Sequence, residues 1–229
     1  MTKLIAEIGI NHNGSYKIAN KICDFLCKID AWGIKFQYRN INNYLKQRKS
    51  DEIGKEILDE EILKNFLSPK KIISLSKKIR KQGVKVGISF FTSKDVNDFK
   101  GFNFDFYKIP SAVCDNFQLI DKIKNKKNIF ISLGTKNNQE IMKLRTQYNK
   151  ILKKKFGVFH CVSNYPLLPI NSNLFYLDKL KKIFKNSYIG YSSHDNNLLI
   201  PSLALGKKLD FIERHVTFDK NAKGLDHSS

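Results

Sequence analysis

Short apolar, β-rich runs recur along the chain at Leu4–Ile10, Gly33–Tyr38, Val84–Phe90, Phe104–Pro110, Asn128–Gly134, Phe156–Cys161, Ser187–Ser192 and Asp210–Val216. Stretches of helical period lie between most of them, such as Tyr16–Ile29, Pro69–Gln82 and Asn138–Lys153. Strand alternating with helix predicts an α/β protein with a parallel sheet and right-handed crossovers. Eight strands fit a closed (β/α)8 TIM barrel better than an open sheet. Residues 1–229 are predicted to form one such barrel domain. The chain reaches Asp226-His227-Ser228-Ser229 just after the eighth strand and its loop, so the pattern predicts a barrel without the closing eighth helix. The longest polar insertion, residues 40–61, follows the second strand, where a barrel carries an active-face loop.

Polar residues interrupt the apolar strands at positions of fixed parity. Side chains alternate along a strand, which puts Glu7 on the face shared with Gly9 and opposite Ala6 and Ile8. Lys35 and Gln37 share a face in the second strand, Lys108 lies just before a strand end, and Glu213 and His215 share a face in the last. A buried charge without a partner costs several kcal/mol, so acids and bases repeated at inner positions predict a polar site inside or above the barrel. For each alone, a structural ion pair is the competing reading.

All five histidines, His12, His160, His194, His215 and His227, fall at or just beyond the C-terminal end of a predicted strand. A single histidine there is more often a hydrogen-bonded structural residue. Two from neighbouring strands, His194 and His215, are placed to share one divalent metal through neutral imidazole nitrogens, leaving positions open for Lewis-acid chemistry. Lys35, Lys127, Ser111, Ser132-Leu133-Gly134, Ser163 and Ser192 are candidates for binding an anion, since hydroxyls and backbone N–H groups at strand-to-helix turns hold phosphate.

Composition changes this picture little. A net charge of +20 raises the question of nucleic acid, but the lysines are spread over nearly every predicted helix, as solvated outer faces are, so no nucleic-acid partner is predicted. No apolar run approaches the 18 or so residues that span a bilayer, and the first residues read as a strand, so a cytoplasmic protein with no membrane partner is expected. The four cysteines contain no CxxC pair, which argues against a zinc site and for free thiols.

Read in order, AEIGINHNGS, IKFQ, YKIPS, ISLG, HCVSNYP, IGYSSHD, IERHVTFD and GLDHSS resemble the N-acetylneuraminate synthase family, which includes legionaminic and pseudaminic acid synthases and related spore-coat proteins. The likeness spans almost the whole chain. It implies a (β/α)8 barrel that condenses phosphoenolpyruvate with an N-acetylated amino sugar of the N-acetylmannosamine kind, giving a nonulosonate and phosphate. It implies a divalent metal, manganese before magnesium or cobalt, held by His194 and His215. Phosphoenolpyruvate would be bound by Lys35, Ser111, Lys127, Ser132, Ser163 and Ser192, and the sugar by Gln37, Tyr165 and Asp226. Glu7 and Glu213 match carboxylates with acid or base roles. The family's usual STG reads Ser132-Leu133-Gly134 here, its GYSDHT reads GYSSHD with Ser193 for the acid, and its FD-x-x-S segment reads Phe91-Thr92-Ser93-Lys94-Asp95. Family members also carry a small antifreeze-like domain that caps the site across a homodimer. This chain is expected to lack it, to be completed by a homodimer or a separately encoded cap, or else to be a truncated, non-catalytic barrel that retains a ligand pocket.

Overall fold

The computed structural model describes residues 1–46, 55–164, 167–222, 224, 226 and 227. Eight strands pair in parallel and in sequence order: β1 (Lys3–Gly9), β2 (Gly33–Tyr38), β3 (Lys85–Phe90), β4 (Phe106–Ile109), β5 (Ile129–Ser132), β6 (Gly157–His160), β7 (Tyr188–Ser193) and β8 (Phe211–His215). Pairing of β8 back onto β1 closes the barrel. Every predicted strand is present, because the period-2 and continuous apolar runs that mark strands also mark the two sides of a barrel wall. The outside carries α1 (Tyr16–Leu26), α2 (Ile41–Lys46), α3 (Lys55–Lys64), α4 (Pro69–Lys81), α5 (Phe117–Ile123), α6 (Asn138–Ile151), α7 (Tyr176–Ile183) and α8 (Leu199–Leu205). The insertion after β2 contains α2 and α3. Among the described residues no helix follows β8.

The β3–β4 crossover departs from the regular alternation. It holds a short 3-10 helix, Asp95–Phe99, in place of an α-helix. The buried Asp95 carboxylate accepts hydrogen bonds from the backbone N–H groups of Phe91 (3.1 Å), Thr92 (2.8 Å) and Asn40 (3.1 Å), which folds the crossover tightly and ties it to the end of β2. Phe90, Phe99, Phe104 and Tyr107 fill the space a longer helix would have covered, with ring centroids 5.3–6.5 Å apart.

Inside the barrel the lowest layer is aromatic. Phe106, Phe130, Phe159 and Phe211 pack with Ile5, and Trp32 plugs the N-terminal mouth at 5.0 Å from both Phe106 and Phe211. These rings fit because the neighbouring inward positions are glycines. A Cβ at Gly87 would stand 2.1 Å from the Phe106 ring, at Gly157 2.4 Å from Phe130, and at Gly190 2.6 Å from Phe159. Large and small residues thus alternate around one layer and close the bottom of the barrel. The other strand face, from Ile8 and Phe36 to Val158 and Ile189, packs under the helices as the main core.

This packing predicts that Gly87→Ala lowers stability by about 1–3 kcal/mol through overpacking, measured by urea denaturation. In a Phe106→Leu background the same change should be better tolerated; an equal penalty in both backgrounds would contradict the ring-into-glycine account.

Candidate active site

Strand register assembles the site. The parallel pairing sets Glu7 of β1 level with Lys35 of β2 on one side and with His215 of β8 on the other. Ser89 is level with Lys108, and Ser192 with Glu213. One pocket at the C-terminal ends of the strands is lined by Glu7, Lys35, Gln37, Lys108, Pro110, Ser111, Ser132, Cys161, Ser192, His194, Glu213 and His215.

Four buried charges form its base. Lys35 Nζ lies 2.7 Å from Glu7 Oε1, 3.6 Å from Glu213 Oε2, and donates to Ser89 Oγ at 2.7 Å. Lys108 Nζ donates to both oxygens of Glu213, at 2.8 and 2.9 Å, and sits 4.0 Å from the centroid of the Phe159 ring. Ser192 Oγ adds a donor to Glu213 at 2.7 Å. Burial opposes the charge on Glu213, but Lys108, Lys35 and the Ser192 hydroxyl outweigh it and hold the carboxyl well below its usual range. Burial acts against Lys35 as well, and there Glu213 and Glu7 prevail and raise its pKa. For Lys108, burial is the larger effect and lowers the pKa despite Glu213. Two carboxylates and two ammonium groups thus neutralise one another in a buried interior.

The two candidate metal ligands stand above this base, with ring centroids 5.6 Å apart. His194 Nδ1 lies 2.9 Å from the Val162 carbonyl oxygen, which can only accept, so Nδ1 carries the proton and Nε2 the lone pair. Burial and then the neighbouring His215 push the His194 pKa down to about 4, which keeps it neutral at pH 7. His215 lies between two carboxylates, with Nε2 3.5 Å from Glu7 Oε2 and Nδ1 3.4 Å from Asp226 Oδ2. Two carboxylates on either side of one ring concentrate negative charge there, which a cation at this position would offset. Among the described residues no cluster of three or more His, Cys, Asp or Glu side chains is arranged to chelate an ion. A site built on these two imidazoles would leave its other positions to oxygens from substrate and water.

The hydroxyl groups gather on the opposite side of the pocket. Ser111 begins a short 3-10 helix after β4 and its Oγ lies 2.8 Å from Ser163 Oγ, while Thr135 Oγ1 donates to the Ser111 carbonyl at 2.9 Å. Ser132 and the buried Cys161 thiol line the wall beside them. Burial raises the Cys161 pKa and keeps it a thiol.

Glu7, Lys35, Gln37, Ser111, Ser132, Ser192, His194, Glu213 and His215 are thus brought together as expected. Ser163 joins through Ser111, and Asp226 through His215. Tyr165 lies outside the described residues. Lys127 is a correction: it is exposed and lines a concavity with Arg80, Lys85 and Asn128 before β5, at the N-terminal end of the barrel and away from the site. The second site lysine is Lys108, whose inward parity near the end of β4 was the available signal. Three of the five histidines take the structural reading. His160 Nε2 donates to the Ser172 carbonyl at 2.9 Å and stacks on Tyr191, His12 Nδ1 accepts from Gly14 N–H at 3.1 Å, and His227 bridges Thr217 and Asn13.

A closed parallel (β/α)8 barrel with a charged pocket at the C-terminal ends of its strands has the architecture of the barrel enzymes. The chain belongs to the NeuB family, whose model matches residues 24–229. It is 28% identical over 243 residues to the N-acetylneuraminate-9-phosphate synthase of Mus musculus, covering 99% of this chain and 65% of that protein. It is 30% identical over 239 residues to the N,N'-diacetyllegionaminic acid synthase of Campylobacter jejuni, covering 100% of this chain and 71% of that one. The crystal structure of the N-acetylneuraminic acid synthetase of Leptospira borgpetersenii, in complex with citrate, superposes with a TM-score of 0.88 at 28% identity, covering 99% of this chain and 77% of that chain. The chain thus spans about two thirds of the length of the curated relatives it matches, 65% for the mouse protein.

Burial pushes His12 as well as His194 down to about 4 from the ordinary 6.5. Such depressed values mean that the unfolded chain binds protons first. The metal-free chain is predicted to hold this stability above pH 6.5 and to lose it as pH falls toward 4, by about 3 kcal/mol per ring. Urea midpoints between pH 7 and 4.5 check this, with a shallower fall expected for His12→Gln. An unchanged slope would contradict it.

Proposed function

We propose that this chain is a synthase that joins phosphoenolpyruvate to the aldehyde of an open-chain N-acetylated amino sugar, forming a nonulosonate and releasing phosphate. The observation that carries this reading is the mutually paired Glu7, Lys35, Glu213 and Lys108 base set directly under the His194 and His215 rings and beside a cluster of hydroxyls. Membership of a family whose relatives are named as nonulosonate synthases supports it.

The anionic substrate would lie against Lys35, Lys108, Ser111, Ser132, Ser163 and Ser192. An ammonium group has three donors, and the two oxygens of Glu213 occupy only part of the Lys108 set, so an anion can be added without breaking the base. Gln37 and Asp226 would face the sugar. His194 and His215 would hold a divalent metal, manganese first, with magnesium or cobalt as substitutes, and when bound it would supply Lewis-acid polarisation of the aldehyde oxygen.

Carbon 3 of phosphoenolpyruvate forms the new bond to the aldehyde carbon as the carbonyl π bond breaks onto its oxygen, which takes up a proton to become a hydroxyl, leaving positive charge at carbon 2. Water adds there, and the carbon–oxygen bond to phosphate then breaks to give the keto acid. Glu213, kept ionised by Lys108, Lys35 and Ser192, suits charge stabilisation at carbon 2. Glu7, in contact with both Lys35 and His215, would take the proton from the attacking water. The Trp32 and phenylalanine floor closes the barrel below the pocket.

Phosphate release from phosphoenolpyruvate, followed with Mn2+ and a panel of N-acetylated amino sugars, tests the proposal. Release should depend on the sugar and be lost in His215→Ala. Lys108→Met should lower kcat/KM by about a hundredfold or more, the effect of removing a buried charge partner from the reacting group. Lys127→Ala should leave it unchanged. Sugar-independent release, or equal loss in the two lysine variants, would overturn this assignment.

A further inference from the structure

The segment that follows β8 returns to the mouth of the barrel, where Asp226 meets His215. Asn11, in the β1–α1 turn, is 2% exposed. Both hydrogens of its side-chain amide are used on that segment: Nδ2 donates to the Val216 carbonyl at 3.0 Å and to the Asp226 carbonyl at 3.3 Å. An amide NH2 has two donors, so the two carbonyls saturate it. The end of β1 is shaped for the same approach. Gly9 has φ +54° at a register shift in β1, and a Cβ there would stand 2.8 Å from Asp226 Oδ2 and 3.0 Å from His215 Nδ1. A second tie lies beside the first. His227 Nε2 donates to Asn13 Oδ1 at 3.2 Å, and its Nδ1 lies 2.6 Å from Thr217 Oγ1.

We propose that Asn11 is a positioning residue, latching the segment after β8 onto the β1–α1 turn and thereby setting the Asp226 carboxylate against His215. It acts on the pocket through Asp226 and makes no contact with the reacting atoms. Its kinetic consequence rests on the synthase reading, whereas the latch itself does not. The amide is required for its hydrogens: Asn11→Asp keeps the shape of the side chain but offers only acceptors to two carbonyl oxygens.

The test compares Asn11→Asp, Asn11→Ala, Asp226→Asn and the Asn11→Asp/Asp226→Asn double variant. Hydrogen exchange over residues 217–222 should speed up about tenfold or more in both Asn11 variants, with barrel strands unchanged, as expected for opening of one local unit. KM for the amino sugar should rise, lowering kcat/KM about tenfold for two lost hydrogen bonds, while KM for phosphoenolpyruvate stays put. Because the two residues act in series, the double variant should fall no further than Asp226→Asn within about twofold. Unchanged exchange, exchange accelerated throughout the barrel, or losses that multiply would each overturn the proposal. Asn11 variants that fail to fold would overturn the proposal as well, because a latch confined to the segment after β8 does not carry the barrel. A wild-type chain without sugar-dependent turnover would refute the synthase reading, and the exchange result would still decide the latch.

Discussion

Everything at the mouth of this barrel depends on how four opposite charges are buried together. Glu7, Lys35, Glu213 and Lys108 are each nearly inaccessible, and none could stay charged there alone. Their mutual pairing removes the net charge, while the Ser89 hydroxyl accepts from Lys35 and the Ser192 hydroxyl donates to Glu213. Removing one member of such a set leaves an uncompensated buried charge, typically at about 3–5 kcal/mol. The pairs are drawn from β1, β2, β4 and β8, so the network also fixes those strands relative to one another.

Two neighbouring layers make the arrangement possible. Below, phenylalanine rings seated against Gly33, Gly87, Gly157 and Gly190 close the barrel and exclude water from beneath the charges. Above, the two histidines face the base, one fixed in tautomer by the Val162 carbonyl and the other set between Glu7 and Asp226. The same register that pairs Glu7 with Lys35 pairs it with His215, so base and upper layer are joined by one carboxylate. An anion bound here would meet donors from several strand ends, which is how barrel sites combine residues far apart in sequence.

Much of this was legible from the chain alone. Alternation identified all eight strands, and parity along β1, β2 and β8 placed Glu7, Lys35, Gln37, Glu213 and His215 on inward faces before any register was known. The likeness to N-acetylneuraminate synthases added Asp226 and the serines, which lie on turns where periodicity says nothing. It also suggested Lys127, and there the strand rule would have served better. A residue preceding a parallel strand lies at the closed end of a barrel, whereas Lys108 sits inward near the end of β4. The tight β3–β4 crossover was not visible, because it depends on one carboxylate, Asp95, collecting three backbone donors. Nor was the tie from Asn11, whose partners lie 205 and 215 residues away. Three histidines at strand ends proved structural, since position at a C-terminal end is shared by ligands and by ordinary hydrogen-bonded residues.

The most direct measurement is 13C NMR of the reaction of the purified chain with phosphoenolpyruvate labelled at carbon 3, an N-acetylated amino sugar and Mn2+. The account predicts a labelled methylene carbon bonded to the former aldehyde carbon of the sugar, appearing in step with inorganic phosphate. Labelled pyruvate alone, or untouched phosphoenolpyruvate with folded chain, would contradict it.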